Sequence, residues 1–233
     1  MLRELISILR TKDPLQAVGE NFARMLHLTY EMTLVAGDIY FGKKYDPADR
    51  SQIYRQDVEV NQLERTIRQQ VVAHLSIQKS SSDLPYCLLL MSLVKDVERL
   101  GDYAKNLTEI QDICSHPLPD DDIKQELLEI RSGVEKAFQS TADVHASSDQ
   151  ERALQFIREG RSIAHRCRAL LRRIAARPAE PCVITAEVLG CRYYKRIGGH
   201  VLNILSSVVM PLHKIDYYDE DEIARIEATK TAN

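Results

Sequence analysis

Apolar residues recur at helical spacing along most of the chain. From Asp13-Pro14 the stretch through Phe22, Met25, Leu26, Tyr30, Met32 and Leu34 keeps a beat of three to four residues. Asp as cap and Pro in the first turn open a helix, and Gly42 with the lysines after it closes one. Asp46-Pro47 repeats the device and predicts a second helix reaching about Gln78. "KSSSDLP" predicts a loop in which Ser82 or Asp83 caps a third helix, with Pro85 in its first turn and its end near Cys114. Three more helices are predicted at 121–147, 149–176 and 180–209, with Pro178 and Pro181 marking the last turn and Pro211 the last stop. Strand signals are nearly absent. Helices of roughly 28–32 residues are about 45 Å long and, joined by short loops, pack as antiparallel bundles. The expected fold is all-α: two tandem antiparallel three-helix bundles.

"SHPLPDDD" is the longest polar, proline-bearing break and sets the boundary between halves. The expected organisation is a short amphipathic segment over 1–12, a first bundle over 13–115, a second over 120–210 and an acidic tail over 211–233. The opening "MLRELISILR" lacks the long apolar stretch of a signal peptide and is expected to pack on the protein's own body. The tail is expected to form a short exposed helix that frays.

Three helices, a break and three more suggest a duplication. "VERLGDYAKNLTEI" (97–110) aligns with "YKRIGGHVLNILSS" (194–207), sharing Arg, Gly and Asn in register. "DVEVNQLERTIRQ" (57–69) falls against "RSIAHRCRALLRR" (161–173). The connection between second and third helices is about seven residues shorter in the second half, which is two helical turns.

Composition narrows the class. A net charge of −3 argues against a nucleic-acid binder, which needs a basic excess to neutralise phosphates. No apolar run reaches the ~18 residues that span a bilayer. Five cysteines, an odd number without a CxxC pair, indicate neither a disulfide framework nor a thiolate zinc site, and read as small buried residues in a reducing cytoplasm.

Two stripes of acids stand out. Glu98, Asp102 and Asn106 follow a spacing of four on the third helix. Asp57, Asn61 and Glu64 form a second stripe on the helix before it. Antiparallel packing brings the carboxylate pairs opposite each other. Four carboxylates with two amides suit a hard cation such as Mg²⁺, Mn²⁺, Ca²⁺ or iron. Gly101 costs the helix about 1 kcal/mol of propensity, so a packing or site role beside Asp102 is expected of it. The competing reading is a solvated acidic face, neutralised by Arg65, Arg68, Lys95, Arg99 and Lys105. Asparagine at 61 and 106 is a poor choice for such a face, which favours a site.

"DVEVNQLER" followed by "LVKDVERLGDYAKNLTEI" resembles the signature of the PhoU family of phosphate-transport regulatory proteins, with its E-x-x-x-D element at Glu98–Asp102. The resemblance implies a duplicated three-helix bundle over about 13–210 in a cytoplasmic homodimer. It implies no enzymatic activity, and metal on acidic helix faces (Fe, Mn, Mg, Zn or Ca) held by Asp57, Glu64, Glu98 and Asp102, with Asn61 and Asn106 in support. It also implies partners: phosphate-transporter components, a phosphate-sensing histidine kinase, and through them peripheral contact with the membrane. The alternatives are a carboxylate-bridged metalloenzyme and an accessory subunit of a sodium/phosphate-type carrier.

The second half departs from that pattern. Lys195 stands for Glu98, Gly199 for Asp102, Arg161 for Asp57, His165 for Asn61 and Arg168 for Glu64, while Asn203 keeps the identity of Asn106. A second metal site is therefore not expected. The reversal of charge suggests an anion or partner face at Arg161, Arg168, Lys195 and His200. The competing reading is that these are solvated, or pair with acids of the fourth helix such as Glu129 and Glu135. His27, His74 and His145 lack E-x-x-H partners and read as ordinary surface or half-buried histidines.

Overall fold

The structure, a computed structural model, describes residues 14–42, 47–77 and 82–215. The expectations for segment 1–12 and for the tail beyond residue 215 lie outside the described residues. Within them the chain forms α-helices α1 (Pro14–Tyr40), α2 (Pro47–Ile77), α3 (Leu84–Ile113), α4 (Asp122–Ser147), α5 (Gln150–Ala176) and α6 (Pro181–Val209), then a short 3₁₀ turn, Leu212–Lys214. The all-α, tandem-bundle fold class follows.

The helix ends have local causes. Gly42 adopts φ 72°, a left-handed geometry natural to glycine, and its N–H bonds to the Ile39 carbonyl at 3.1 Å to end α1. The Asp121 carboxylate accepts from the Ile123 and Lys124 amides at 3.0 Å each and caps α4. Asp149 caps α5 by accepting from the Arg152 amide at 3.0 Å. Asp83 holds the position before α3 but makes no side-chain cap; its carboxylate is drawn instead to His74 Nε2 and to the Ser82 hydroxyl, both at 3.0 Å. Glu180 likewise precedes α6 without capping it.

Each half places its third helix centrally. α3 packs against α1 and α2, α6 packs against α4 and α5, and α3 and α6 then pack against each other. That double role explains why α3 buries so much of its circumference, from Leu90, Leu93, Val94 and Val97 to Leu100, Ala104 and Leu107. Each of these buried leucine and valine side chains contributes about 1.5–3 kcal/mol.

One hydrophobic cluster runs through both halves. At one end Phe41 lies 6.3 Å from Tyr194 and 4.8 Å from Tyr40, ring centre to ring centre, and the Tyr40 hydroxyl donates to the Ala186 carbonyl at 3.2 Å. Arg131 of α4 donates to Asp38 and Glu135 at 2.6 Å each and to the Leu34 carbonyl at 3.3 Å, with its guanidinium 5.6 Å above the Phe41 ring. These contacts tie α1 to α4 and α6. Among the described residues no helix is long and apolar enough to cross a membrane.

Candidate functional site

The buried stripe of α2 runs through Ile53, Asp57, Val60, Ile67 and Val71, so Asp57 occupies a core-facing position. The stripe of α3 runs through Val97, Leu100, Gly101, Ala104 and Leu107, and Glu98 and Asp102 flank it. The acids therefore line the edge of the α2–α3 seam instead of the outer surface. Their side chains retain only 12% (Asp57), 14% (Glu64), 12% (Glu98) and 26% (Asp102) of full exposure. An open solvated face would leave them far wetter.

Lys105 links the two helices. Its ammonium donates to Asp57 at 2.8 Å and lies 3.5 Å from Asp102. Burial opposes the charge on Lys105, and the Asp57 and Asp102 carboxylates outweigh it, holding the amine above its usual range. Asp102 also accepts from Arg99 at 3.1 Å. Glu98 accepts from Lys95 at 2.9 Å and has Arg99 at 3.7 Å, and Glu64 accepts from Arg68 on its own helix at 3.0 and 3.1 Å. The Asn61 amide donates to the Asp57 carbonyl at 2.9 Å, and Asn106 sits half-buried one turn beyond Asp102. Asp57 and Asp102 thus meet at one cation, while Glu64 and Glu98 each turn to neighbouring bases. Four of the five basic residues named as competing partners do pair with the acids.

Gly101 does not open the acidic edge. A methyl there would meet Thr29, Met32 and Val60 at 3.5–3.6 Å, which is ordinary core contact with α1 and α2. The glycine faces the core because it follows Leu100 on the buried stripe.

In the second half, Arg161, Lys195 and His200 line a cavity of about 410 Å³ with Arg192, Arg196 and Asn203. Of the glycines in its walls only Gly199 faces open space; Gly133 and Gly160 instead admit the side chains of Ile163 and Leu202. Arg168 is not part of it and bonds to His165 Nδ1 at 2.8 Å. The fourth-helix acids are engaged elsewhere: Glu129 pairs with Arg166 and Glu135 with Arg131.

Sequence reasoning missed one polar cluster entirely. Asp96 is buried on α3, where one oxygen meets His200 Nδ1 and accepts from the Asn203 amide, each at 2.7 Å. Tyr103 stacks on His200 with ring centres 5.7 Å apart. His200 is therefore a structural link between the halves as well as a wall of the cavity. The available signal was an acid on the apolar stripe between Leu93 and Leu100. A second group went unread as well. Among the described residues, the one trio of histidine, cysteine or acid ligand atoms lying within 4.8 Å of one another is Cys114, His116 and Cys182.

Residues 22–111 match the PhoU domain. The phosphate-specific transport system accessory protein PhoU homologue of Pseudomonas aeruginosa is 28% identical over 168 residues, 68% of this chain and 67% of that protein. The chain is similar to the PhoU family, through a domain match confined to its first half. The crystal structure of PhoU from Pseudomonas aeruginosa superposes with a TM-score of 0.78 at 23% identity, covering 86% of this chain and 97% of that one. The phosphate transport system regulatory protein PhoU from Streptococcus pneumoniae superposes at 0.73 with 16% identity, covering 88% and 97%. The PhoU-domain match spans most of α1 to α3 and contains Asp57, Asn61, Glu64, Glu98, Asp102 and Asn106. The basic residues of α5 and α6 lie beyond it.

Proposed function

We propose that the protein is a PhoU-type regulator of phosphate uptake that works by protein contact in the cytoplasm, as a homodimer and without turnover of its own. The match of residues 22–111 to the PhoU domain carries this reading, supported by the curated relative named as an accessory protein of phosphate-specific transport. Its partners would be components of a phosphate transporter, a phosphate-sensing kinase, or both. The test is capture by the tagged full-length chain from cells grown in high and in low phosphate. Recovery of a phosphate permease or its ATPase is expected, and recovery of a sodium/phosphate-type carrier would fix the alternative partner. Capture without any phosphate-transport or sensor protein in either condition would overturn the reading.

The acidic edge of the first half is the proposed metal face. Asp57 and Asp102 already reach one shared positive charge, the Lys105 ammonium, while Glu64 and Glu98 would have to leave their neighbouring bases to join them. Asp57, Glu64, Glu98 and Asp102 would hold the ion, with the side-chain oxygens of Asn61 and Asn106 in support. A bound ion would supply positive charge to a seam rich in carboxylates and a point of attachment for a partner's oxygen ligands. Lys105 competes for the same carboxylates, so Lys105→Ala is expected to tighten metal binding and Asp102→Ala to weaken it. Elemental analysis and calorimetric titration read both. Unchanged affinity in both variants would remove the assignment. The cavity walled by Arg161, Arg192, Lys195 and Arg196 is the proposed anion or acidic-partner face, tested by phosphate titration followed by NMR.

A further inference from the structure

We propose that Cys114, His116 and Cys182, completed by Glu180, form a binding site for one Zn²⁺-class cation that clasps the two halves together. The four residues come as two short pairs, Cys114-x-His116 at the end of α3 and Glu180-x-Cys182 at the start of α6. The fold sets these pairs side by side, so the ligands close a link between the exit of the first half's central helix and the entry of the second's.

Three donors converge, with their ligand atoms within 4.8 Å of one another, and the Glu180 carboxylate stands beside them. The sulfurs of Cys114 and Cys182 are 3.0 Å apart. Glu180 Oε2 lies 4.0 Å from the Cys182 sulfur and 3.9 Å from His116 Nδ1. Zinc bonds of about 2.0–2.3 Å in a tetrahedron require ligand-to-ligand edges of roughly 3.3–3.8 Å. The sulfurs would therefore spread by about 0.7 Å and the exposed Glu180 side chain would swing inward by about 1 Å or more to complete the set. Glu180 is available for this role because, though it stands at the position preceding α6, its side chain makes no cap there. Cys114 is buried and Cys182 half-buried, whereas His116 and Glu180 are exposed, so an ion has a path in from solvent. The Cys114–His116 side also borders a cavity of about 230 Å³ walled by Tyr40, Gly42 and Pro117.

Donor chemistry separates this site from the acidic edge of α2 and α3. Two sulfurs and an imidazole select zinc and its neighbours, and carboxylates alone select harder ions. A role as inert core cysteines would account for Cys114 but not for an imidazole converging on the same two sulfurs. The proposal does not depend on the regulatory reading above.

Cobalt(II) is the probe. The full-length chain, stripped of metal and reduced with a phosphine, is titrated with Co²⁺ and followed by absorption. Thiolate-to-cobalt charge-transfer bands and tetrahedral d–d bands are expected to saturate at one equivalent and to vanish when Zn²⁺ is added. Cys182→Ser, nearly isosteric, should abolish the charge-transfer bands while circular dichroism stays that of the parent. His116→Ala, in an exposed connection, should weaken binding at least about tenfold. Asp102→Asn should leave the bands intact. No charge-transfer band in the reduced protein would overturn the proposal, as would a band indifferent to Cys182→Ser. Cobalt d–d bands that lack charge transfer and vanish in Asp102→Asn would assign the metal to the acidic edge and overturn it equally. So would loss of two free thiols to a Cys114–Cys182 disulfide on air exposure with no cobalt band after reduction.

Discussion

Two glycines show how a single hydrogen in place of a methyl is read differently by its surroundings. A methyl at Gly190 would overlap the ring and hydroxyl of Tyr40, a buried side chain whose hydroxyl is held by the Ala186 carbonyl. A methyl at Gly101 would find its neighbours at contact distance. Gly190→Ala is therefore expected to cost about 1–3 kcal/mol or more through overpacking. Gly101→Ala is expected to be neutral or to stabilise by up to about 1 kcal/mol from helix propensity. Urea denaturation midpoints test the contrast. His145 offers a second prediction at this scale. Its ring packs 5.4 Å from that of Phe22, and burial pushes its pKa below the ordinary value. The folded state thus favours the neutral ring. That contribution is intact above about pH 6.5, where the unfolded histidine is neutral too, and is lost as the pH falls through the folded value. Unfolding free energy should fall on acidification from pH 7, and His145→Gln should flatten the dependence over that window.

Helix ends are where the elements are joined, and one such join ties α4, α5 and α6 together. Asp121 caps α4 and also pairs with Arg177 at the end of α5, which pairs in turn with the enclosed Glu187 of α6. Burial opposes ionisation of Asp121, but the Lys124 amide and the Arg177 guanidinium outweigh it and hold the carboxyl below its usual value. Burial pushes Glu187 up despite Arg177. Asp121→Ala removes two cap bonds and an ion-pair partner and should cost about 2 kcal/mol, against about 1 for Asp149→Ala, which removes a single cap bond. Arg177→Met strands Glu187 in the core and should cost about 3 kcal/mol, and adding Glu187→Leu should return most of the loss. Thermal unfolding of the four variants reads all of these. The caps at Asp121 and Asp149 were legible as the acid preceding each helical beat. Asp83 looks the same in sequence, yet His74, nine residues earlier and across a turn, takes its carboxylate. A cap is a local motif until a tertiary partner outbids it.

Across the whole molecule, the two halves are one body because their central helices share a seam. Asp96 of α3 with His200 and Asn203 of α6 is its polar lock. A double-mutant cycle on Asp96→Ala and His200→Ala should give a coupling of about 1–3 kcal/mol, measured by chemical denaturation. Additive effects would show that the apolar seam alone holds the halves together.

Helix number, limits within a residue or two and the duplication were all written in the chain, because they rest on periodicity, caps and prolines that act over a few residues. The two acidic stripes were legible for the same reason: positions four apart on a helix share a face whatever the helix packs against. Which base each acid meets, and that Lys105 stands between Asp57 and Asp102, required the antiparallel placement of α2 against α3. Arg161, Lys195 and His200 were singled out by charge reversal, but only packing showed that they share the wall of one cavity and that Arg168 stands apart. The convergence of Cys114, His116, Glu180 and Cys182 had no sequence signal of its own. Its two halves are separated by the whole of α4 and α5, and only the docking of α6 beside α3 brings them within bonding range.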